Sequence, residues 1–254
     1  IGQTPPGDTA VVFAPGIVTT KKNESNFIVA PDGKTVYFSR DHKRMMVMEL
    51  KKDGSGWTSP RVAVFSGVPM NTCEFDISPD GQTFFSNFRK HVRGSRVALN
   101  LFVSKRTDNG WSKPKGLGPP VSDQTMHAAS VSRNGTLYAS GIIKVELKNG
   151  KYQKAKKISP RIKGHHLEVD PDERFIIFDA RKKSGLGRSD LYVIYRKKDN
   201  TWTLPQNLGK GINSSKSEGS PSLSPDGKYL FFQRNFNIYW VSASIIDKLK
   251  PKGI

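Results

Sequence analysis

Three kinds of side chain in this 254-residue sequence combine in ways that could do chemistry. The first is imidazole. "GHHLEVD" at 164–170 places His165 beside His166, and His127 stands one repeat earlier. With Glu74 they offer a His/His/carboxylate set of the type that suits Zn, Mn or Ca, so a divalent metal is a possible cofactor. Neighbouring residues on a strand point to opposite faces, so only one of His165 and His166 can join such a set. The second kind is carboxylate. Glu24, Glu74, Asp76 and Glu218 are candidates for the paired acids of glycoside hydrolysis, which needs two carboxyls roughly 5–10 Å apart. Acids ringed by arginine have lowered pKa values, however, a poor condition for a general acid. The third kind is guanidinium. Arg40, Arg89, Arg181 and Arg234 present rigid forks that match carboxylate, sulfate or phosphate, with Asn26 and His166 as further ligand contacts. Cys73 is the one cysteine, and a lone cysteine in a strand is usually packing. The sequence contains no G-x-S-x-G elbow, phosphate-binding Gly-rich loop, dinucleotide fingerprint or zinc-finger spacing.

A repeat must position these residues. "APDGKTVYFSR" (30–40) and "SPDGKYLFFQR" (224–234) are near-copies, with looser versions beginning at Ser78, Ser132 and Asp170. The interval centres on about 50 residues, in the range of solenoids and propellers. Each unit opens with a short apolar stretch and a Pro-Asp-Gly turn, whose residues preset φ, bond their own backbone and accept positive φ. An aromatic and β-branched strand follows ("TVYFS", "TFFSNF", "TLYAS", "FIIFD", "YLFF"), then a third strand such as "DLYVIY" (190–195) or "NIYWVS" (237–242). A charged turn, an aromatic and a short apolar pair complete the unit. Four strands per unit is the content of one propeller blade, so the sequence predicts an all-β, five-bladed β-propeller of antiparallel strands in a single domain, 1–254. The last unit lacks its fourth strand. Residues 10–20 ("AVVFAPGIVTT") carry the matching apolar pair, so this N-terminal strand is expected to complete the last blade and cover its edge. Residues 243–254 read as a short C-terminal helix and tail.

In that geometry the starts of the first strands and the ends of the second strands share one face, the top. The arginines end second strands there, and Lys43, Arg44, Lys90, Arg93, Arg96, Lys182, Lys183 and Arg188 follow in the loops. Either the arginines pair with Glu24, Glu74 and Glu218 and tie blades together, or they form an anion site; the basic residues outnumber those acids. The opposite, bottom face is expected to be basic as well, through turns such as Lys51-Lys52, Lys105-Arg106 and Arg196–Lys198. Trp57, Trp111, Tyr152 and Trp202 recur in register and read as packing between blades, which argues against a stacking platform for bases.

The "SPDGKYLFF" core, the "SDLYV" strand and the W-x-x-P-x-x-L-G ending resemble the TolB-type, WD40-like β-propeller repeat of bacterial envelope proteins, over Ala10 to Ser242. Arg133-Asn134 in the third unit and Glu173 in the fourth depart from the turn pattern. The resemblance implies a periplasmic or secreted protein. Such propellers serve as binding scaffolds and as protein-docking platforms. Some relatives cleave acidic polysaccharides using metal-bound histidines.

The charge balance is 41 Lys and Arg against 22 Asp and Glu, a net +19, which favours anionic partners. The expected function is a carbohydrate-binding scaffold whose top face holds an anionic ligand, an acidic polysaccharide or other cell-envelope polymer. A polysaccharide lyase or glycosidase at the same face, with Glu24, Glu74 and Glu218 as candidate catalytic residues, is the alternative; a protein-docking platform is a further one. Nucleic acid is a less favoured partner. No apolar run reaches the 18 residues of a membrane-spanning helix.

Overall fold

The computed structural model describes residues 2–90, 98–123 and 126–254. It is a five-bladed β-propeller of small antiparallel sheets. Blade 1 runs through Glu24–Val29, Thr35–Asp41 and Met45–Asp53, and blade 2 through Phe75–Ile77, Thr83–Lys90 and Ala98–Thr107. Blade 3 is the shortest, with Ser130–Val131, Leu137–Ala139 and Ile143–Val145. Blade 4 is Leu167–Val169, Phe175–Ala180 and Asp190–Tyr195, and blade 5 is Glu218–Leu223, Tyr229–Arg234 and Asn237–Ser242.

The fourth strands are short: Arg61–Val62, Lys115–Gly116, Lys156–Lys157 and Gln206–Asn207. They fall just ahead of the apolar pairs expected to end each unit, "FSGV" (65–68), "LGPPV" (117–121), "ISPRI" (158–162) and "LGKGI" (208–212). Those apolar residues plug the spaces between blades instead: Phe65, Val121, Ile162 and Ile212 are all at most 3% exposed. An outer strand is covered on one side only, so it needs little apolar sequence, whereas the wedge between two blades needs bulk.

The ring closes where the sequence suggested. Val11–Val12 pairs antiparallel with Trp240 and Tyr239, as the outer strand of blade 5. The strand is only two residues long; after it Phe13, Ala14, Val18 and Thr19 are buried, while Pro15, Gly16 and Ile17 form an exposed turn. Phe13 packs edge-on against Phe27, Phe231 and Trp240 at 4.9, 5.1 and 5.2 Å, and Thr19 Oγ1 donates to the Ile238 carbonyl at 3.1 Å. The C-terminal helix is Ser244–Leu249. It caps the bottom of blade 5, with Ile246 buried against the cluster containing Tyr195 and Leu230.

The bottom turns follow the Pro-Asp-Gly chemistry. The third turn residue has positive φ in every blade: Gly33, Gly81, Gly135, Glu173 and Gly227. Glu173, at φ 58°, is the exception to glycine. Its buried carboxylate accepts bonds from Ser132 Oγ, Asn134 Nδ2 and Arg196 Nη1. That network offsets the strain of a side chain in the left-handed region and ties blade 3 to blade 4. Asn134 is one of the two departures in blade 3, so the two irregular turns are held by one another.

Candidate metal and anion site at the mouth of the axis

Side chains two apart on a strand share a face, so each innermost strand lines the axis in layers. In the upper layer stand Asn26, Glu74, Ala128, His166 and Ser220, one from each blade; below them are Ile28, Asp76, Ser130, Glu168 and Ser222. The space these layers enclose is about 20 Å³, room for a single water or ion. At the mouth the backbone is irregular. Asn26, Ala128 and Ser220 all have positive φ, at 43°, 48° and 48°, and the inner strands of blades 1 and 5 carry register shifts at these points. Bulges and strained φ re-aim side chains at sheet rims.

Glu74 is the hub. It is 6% exposed, and its Oε2 accepts the Ala128 N–H at 2.9 Å. Its Oε1 lies 2.9 Å from His127 Nε2 and 3.6 Å from His166 Nε2. Three consecutive blades thus meet at one carboxylate. Behind His166 stands Asp179, whose Oδ1 lies 2.8 Å from the ring Nδ1 and accepts the His166 backbone N–H at 2.9 Å. Ser189 Oγ donates to the other Asp179 oxygen at 3.3 Å. A carboxylate at Nδ1 fixes the ring and turns Nε2 toward the axis, the arrangement found behind metal-ligating histidines. His127 is less constrained: its Nδ1 faces Ser140 Oγ at 3.4 Å, and its side chain is 35% exposed.

Electrostatics couple the cluster. Burial alone would raise the Glu74 pKa, but hydrogen bonds from His127 and His166 outweigh it and hold the carboxyl at about 2. Burial likewise pushes His166 down, and the bonds to Asp179 and Glu74 overcome it, raising the imidazole to about 10. Without a metal this is a His166 imidazolium held between two carboxylates. The donor atoms of Glu74, His127 and His166 all lie within 4.8 Å of one another, a spacing that metal–ligand bonds of about 2.0–2.2 Å can close with small side-chain movements. One carboxylate and two imidazoles, with a carboxylate oriented behind one of them, fit a divalent ion. Binding would displace the shared protons.

The layer beneath is acidic. Asp76 accepts from Ile77 N and Val131 N at 2.8 and 2.9 Å. Glu168 accepts from Ser130 Oγ at 3.1 Å and Leu223 N at 3.3 Å. Burial lifts Asp76 to about 6. Glu168 stands well above the usual carboxylate range, through burial and then the nearby charge of Asp76. The axis opens below into a bottom cavity of about 380 Å³, where Asp170, Asp172, Asp226 and Asp247 outnumber Arg133 and Arg174. Around the axis the bottom is therefore acidic, against the expectation of a basic face. The basic turns lie at its periphery.

The remaining site residues named from sequence fall in three places. His165 is exposed, outside the cluster; its backbone N–H bonds the Asp179 carbonyl, so of the adjacent pair it is His166 that faces the axis. Asn26 donates from Nδ2 to the Phe75 carbonyl at 2.9 Å, bridging blades 1 and 2. Glu24 and Glu218 are fully buried and turned into their blades, at 0% and 1% exposure. Glu24 Oε1 pairs with Arg40 Nε at 2.9 Å and accepts from Thr20 Oγ1 at 2.6 Å. Glu218 Oε1 repeats this with Arg234 Nε at 2.8 Å and Ser214 Oγ at 2.6 Å. Arg40 Nη2 also donates to the carbonyls of Ile17 and Val18, and Arg234 Nη2 to that of Ile212. These two arginines are struts that pin the preceding loop to the inner strand. Of the three catalytic candidates, Glu74 alone reaches the axis. Arg181, by contrast, is exposed and makes no ion pair among the described residues, as are Lys43, Arg44, Lys183 and Arg188 in the top loops. The side chains of Arg89 and Lys90, and residues Arg93 and Arg96, lie outside the described residues.

Asp179 and Glu168 were missed by the sequence reading. Asp179 sits inside "FIIFDAR", two residues ahead of Arg181 at the end of an otherwise apolar strand. Glu168 occupies the same repeat position as Asp76, and the i, i+2 spacing from His166 was the signal that could have found it.

The fold and site together define a five-bladed propeller with a histidine–carboxylate cluster at the mouth of its axis. No protein-family model and no curated protein sequence matches the chain. Solved structures do match in fold. TolB from Acinetobacter baumannii aligns with a TM-score of 0.51 at 12% identity, over 88% of this chain and 55% of its own. The gluconolactonase XC5397 from Xanthomonas campestris gives 0.52 at 10% identity, over 94% and 95%. A glucose dehydrogenase gives 0.52 at 11%, over 91% and 98%. The chain has a TolB-like β-propeller fold and spans about half the length of TolB itself. No helix among the described residues is long and apolar enough to cross a membrane.

Proposed function

We propose that the top face binds an acidic carbohydrate, with a divalent metal ion held by Glu74, His127 and His166 as the central contact. The observation that carries this reading is the convergence of those three side chains from three consecutive blades, with Asp179 orienting His166. When bound, the ion supplies positive charge on the axis where a ligand carboxylate can meet it. The exposed cations Arg181, Lys183, Arg188, Lys43 and Arg44 would gather the remaining negative charge of a uronic or sulfated chain. The sugar-related names of two fold neighbours, gluconolactonase and glucose dehydrogenase, support the carbohydrate class by analogy of fold alone. The TolB-like fold supports a periplasmic or secreted setting on the same terms, and a protein-docking role for the outer surfaces.

A second reading, lyase chemistry at the same site, is favoured by His127. Its ring is the more exposed of the two and lacks a carboxylate behind it. In that reading His127 leaves the ion to Glu74 and His166, and its freed ring nitrogen would take the proton α to a uronate carboxylate. The electron pair left behind would form the C4–C5 double bond as the glycosidic C4–O bond breaks, and the departing oxygen would be protonated from solvent.

Titration calorimetry with oligouronides, after treatment with chelator and again with Mn, Zn or Ca restored, tests the proposal. Saturable binding that requires metal and is lost in Glu74→Gln and His166→Ala is expected. Equal binding with and without metal, or binding of neutral and acidic oligosaccharides alike, would overturn it. Ultraviolet absorbance from an unsaturated product would add the lyase reading.

A further inference from the structure

Glu74, His127 and His166 bring blades 2, 3 and 4 to the mouth of the axis. Blades 1 and 5 complete the same layer with Asn26 and Ser220. Ser220 is 7% exposed, and its hydroxyl makes no hydrogen bond among the described residues. The serines one layer down are bonded, Ser130 Oγ to Glu168 and Ser222 Oγ to the Phe27 carbonyl. The hydroxyls sealed in without a partner are those of Ser86, Ser104 and Tyr192; that of Ser220 keeps accessible surface, on the axial space. A nearly buried hydroxyl with nothing to bond is costly, so this one points to a ligand on the axis.

The backbone at Ser220 is strained as well. Its φ is 48°, in the region that favours glycine, and Pro221 follows, which favours extended backbone in the residue before it. At Ala128, the comparable position of blade 3, the strain turns an N–H onto Glu74. At Ser220 no such bond explains it, and strain of this kind gathers at ligand clamps. Both residues flank the cluster. A Cβ added at Gly219 would lie 3.7 Å from His166 Nδ1 and 3.5 Å from Asp179 Oδ1, so the chain entering Ser220 runs against that pair. Asn26 Nδ2 donates to the carbonyl of Phe75, the residue after Glu74. Its Oδ1 accepts no bond among the described residues, and its φ is also positive, at 43°.

We infer that Asn26 Oδ1 and Ser220 Oγ are further ligands of the axial ion, so that all five blades coordinate it, and that the site favours Mn over Zn. The inference rests on the metal reading of Glu74, His127 and His166 proposed above. Two imidazole nitrogens and three oxygens leave a sixth position for a ligand carboxylate. Octahedral sites rich in oxygen suit Mn. Zn takes four ligands, which the cluster and one water or substrate atom already supply, so the two added oxygens serve it little.

Titration calorimetry with Mn and with Zn on chelator-stripped protein tests this. Ser220→Gly is the decisive variant, because glycine relaxes the backbone there while removing the hydroxyl. It should melt no lower than the wild type. It should bind Mn more weakly by about tenfold or more, with Zn affinity changed by less than about twofold. Asn26→Ala should show the same split between the metals; if it fails to fold, Ser220→Gly carries the test. Unchanged Mn affinity in Ser220→Gly overturns the inference. So does an equal loss for both metals, which marks Ser220 as shaping the mouth and not as a ligand. If Glu74→Gln abolishes Mn binding in either case, the metal reading stands and the two added ligands alone fall. A wild type that binds neither metal removes both.

Discussion

Replacing Phe13 by alanine tests how the ring is closed. Phe13 follows the two-residue closing strand, is 6% exposed and touches rings from blade 1 (Phe27) and blade 5 (Phe231, Trp240). Truncating a buried phenylalanine costs about 3–5 kcal/mol through lost burial and the cavity left behind. The three edge-on contacts place this site toward the upper end. In a domain of this size each kcal/mol moves the melting temperature by about 2–4 °C, so a fall on the order of 10 °C or more is expected. Val11→Ala, at a 40% exposed position in the same strand, should cost about 0.5 kcal/mol or less. Urea unfolding of both variants, followed by tryptophan fluorescence, gives the two values in one assay. A Phe13→Ala loss below about 1 kcal/mol, or one no larger than that of Val11→Ala, would refute closure through this residue.

Other outcomes follow from the same geometry. Glu218→Gln leaves Arg234 without its buried partner, and by comparison with other broken buried pairs should cost about 3 kcal/mol; a loss under 1 kcal/mol in denaturant titration would remove the strut role. In metal-free protein the pairing of His166 with Glu74 and Asp179 should depend on pH. The His166 contribution is fully present below 6.5 and lost as pH rises through about 10, and that of Glu74 is present above 4.5 and lost as pH falls through about 2. The stability deficit of His166→Gln, about 1–2 kcal/mol after solvent screening, should therefore be largest between pH 4.5 and 6.5 and shrink toward pH 10; a deficit that does not vary with pH contradicts the pairing. Arg181→Ala with Lys183→Ala should lower the salt at which the protein leaves a heparin column, because exposed charges act through a screened field, while unchanged elution would place the polyanion elsewhere.

The propeller was legible because its turns are chemical. Pro-Asp-Gly repeats mark each hairpin, and the strands between them are dense in aromatic and β-branched residues. Even the N-terminal closure could be read, from the apolar pair following Val11–Val12. The fourth strands were misplaced by a few residues, because the strongest apolar signal there belongs to the wedges between blades and not to a sheet. The site was half legible. His127, His166 and Glu74 share a repeat position or lie beside it, so the fold had to bring them together. The arginines misled in part. A residue kept in register can be a strut or a ligand contact, and only the geometry of Thr20–Glu24–Arg40 and Ser214–Glu218–Arg234 distinguishes the two. The support from Asp179 depends on a contact between neighbouring strands of blade 4, and no spacing within one strand reveals it.

The most direct measurement is an anomalous diffraction map from crystals grown with Mn or Zn and soaked with a short oligouronide. The account predicts one strong peak on the axis, bonded to Glu74, His127 and His166, with a ligand carboxylate completing its coordination and the sugar chain running toward Arg181. An axis with no peak at saturating metal, or an oligouronide lodged on the bottom face with the Nε2 atoms of His127 and His166 still facing Glu74, would contradict it.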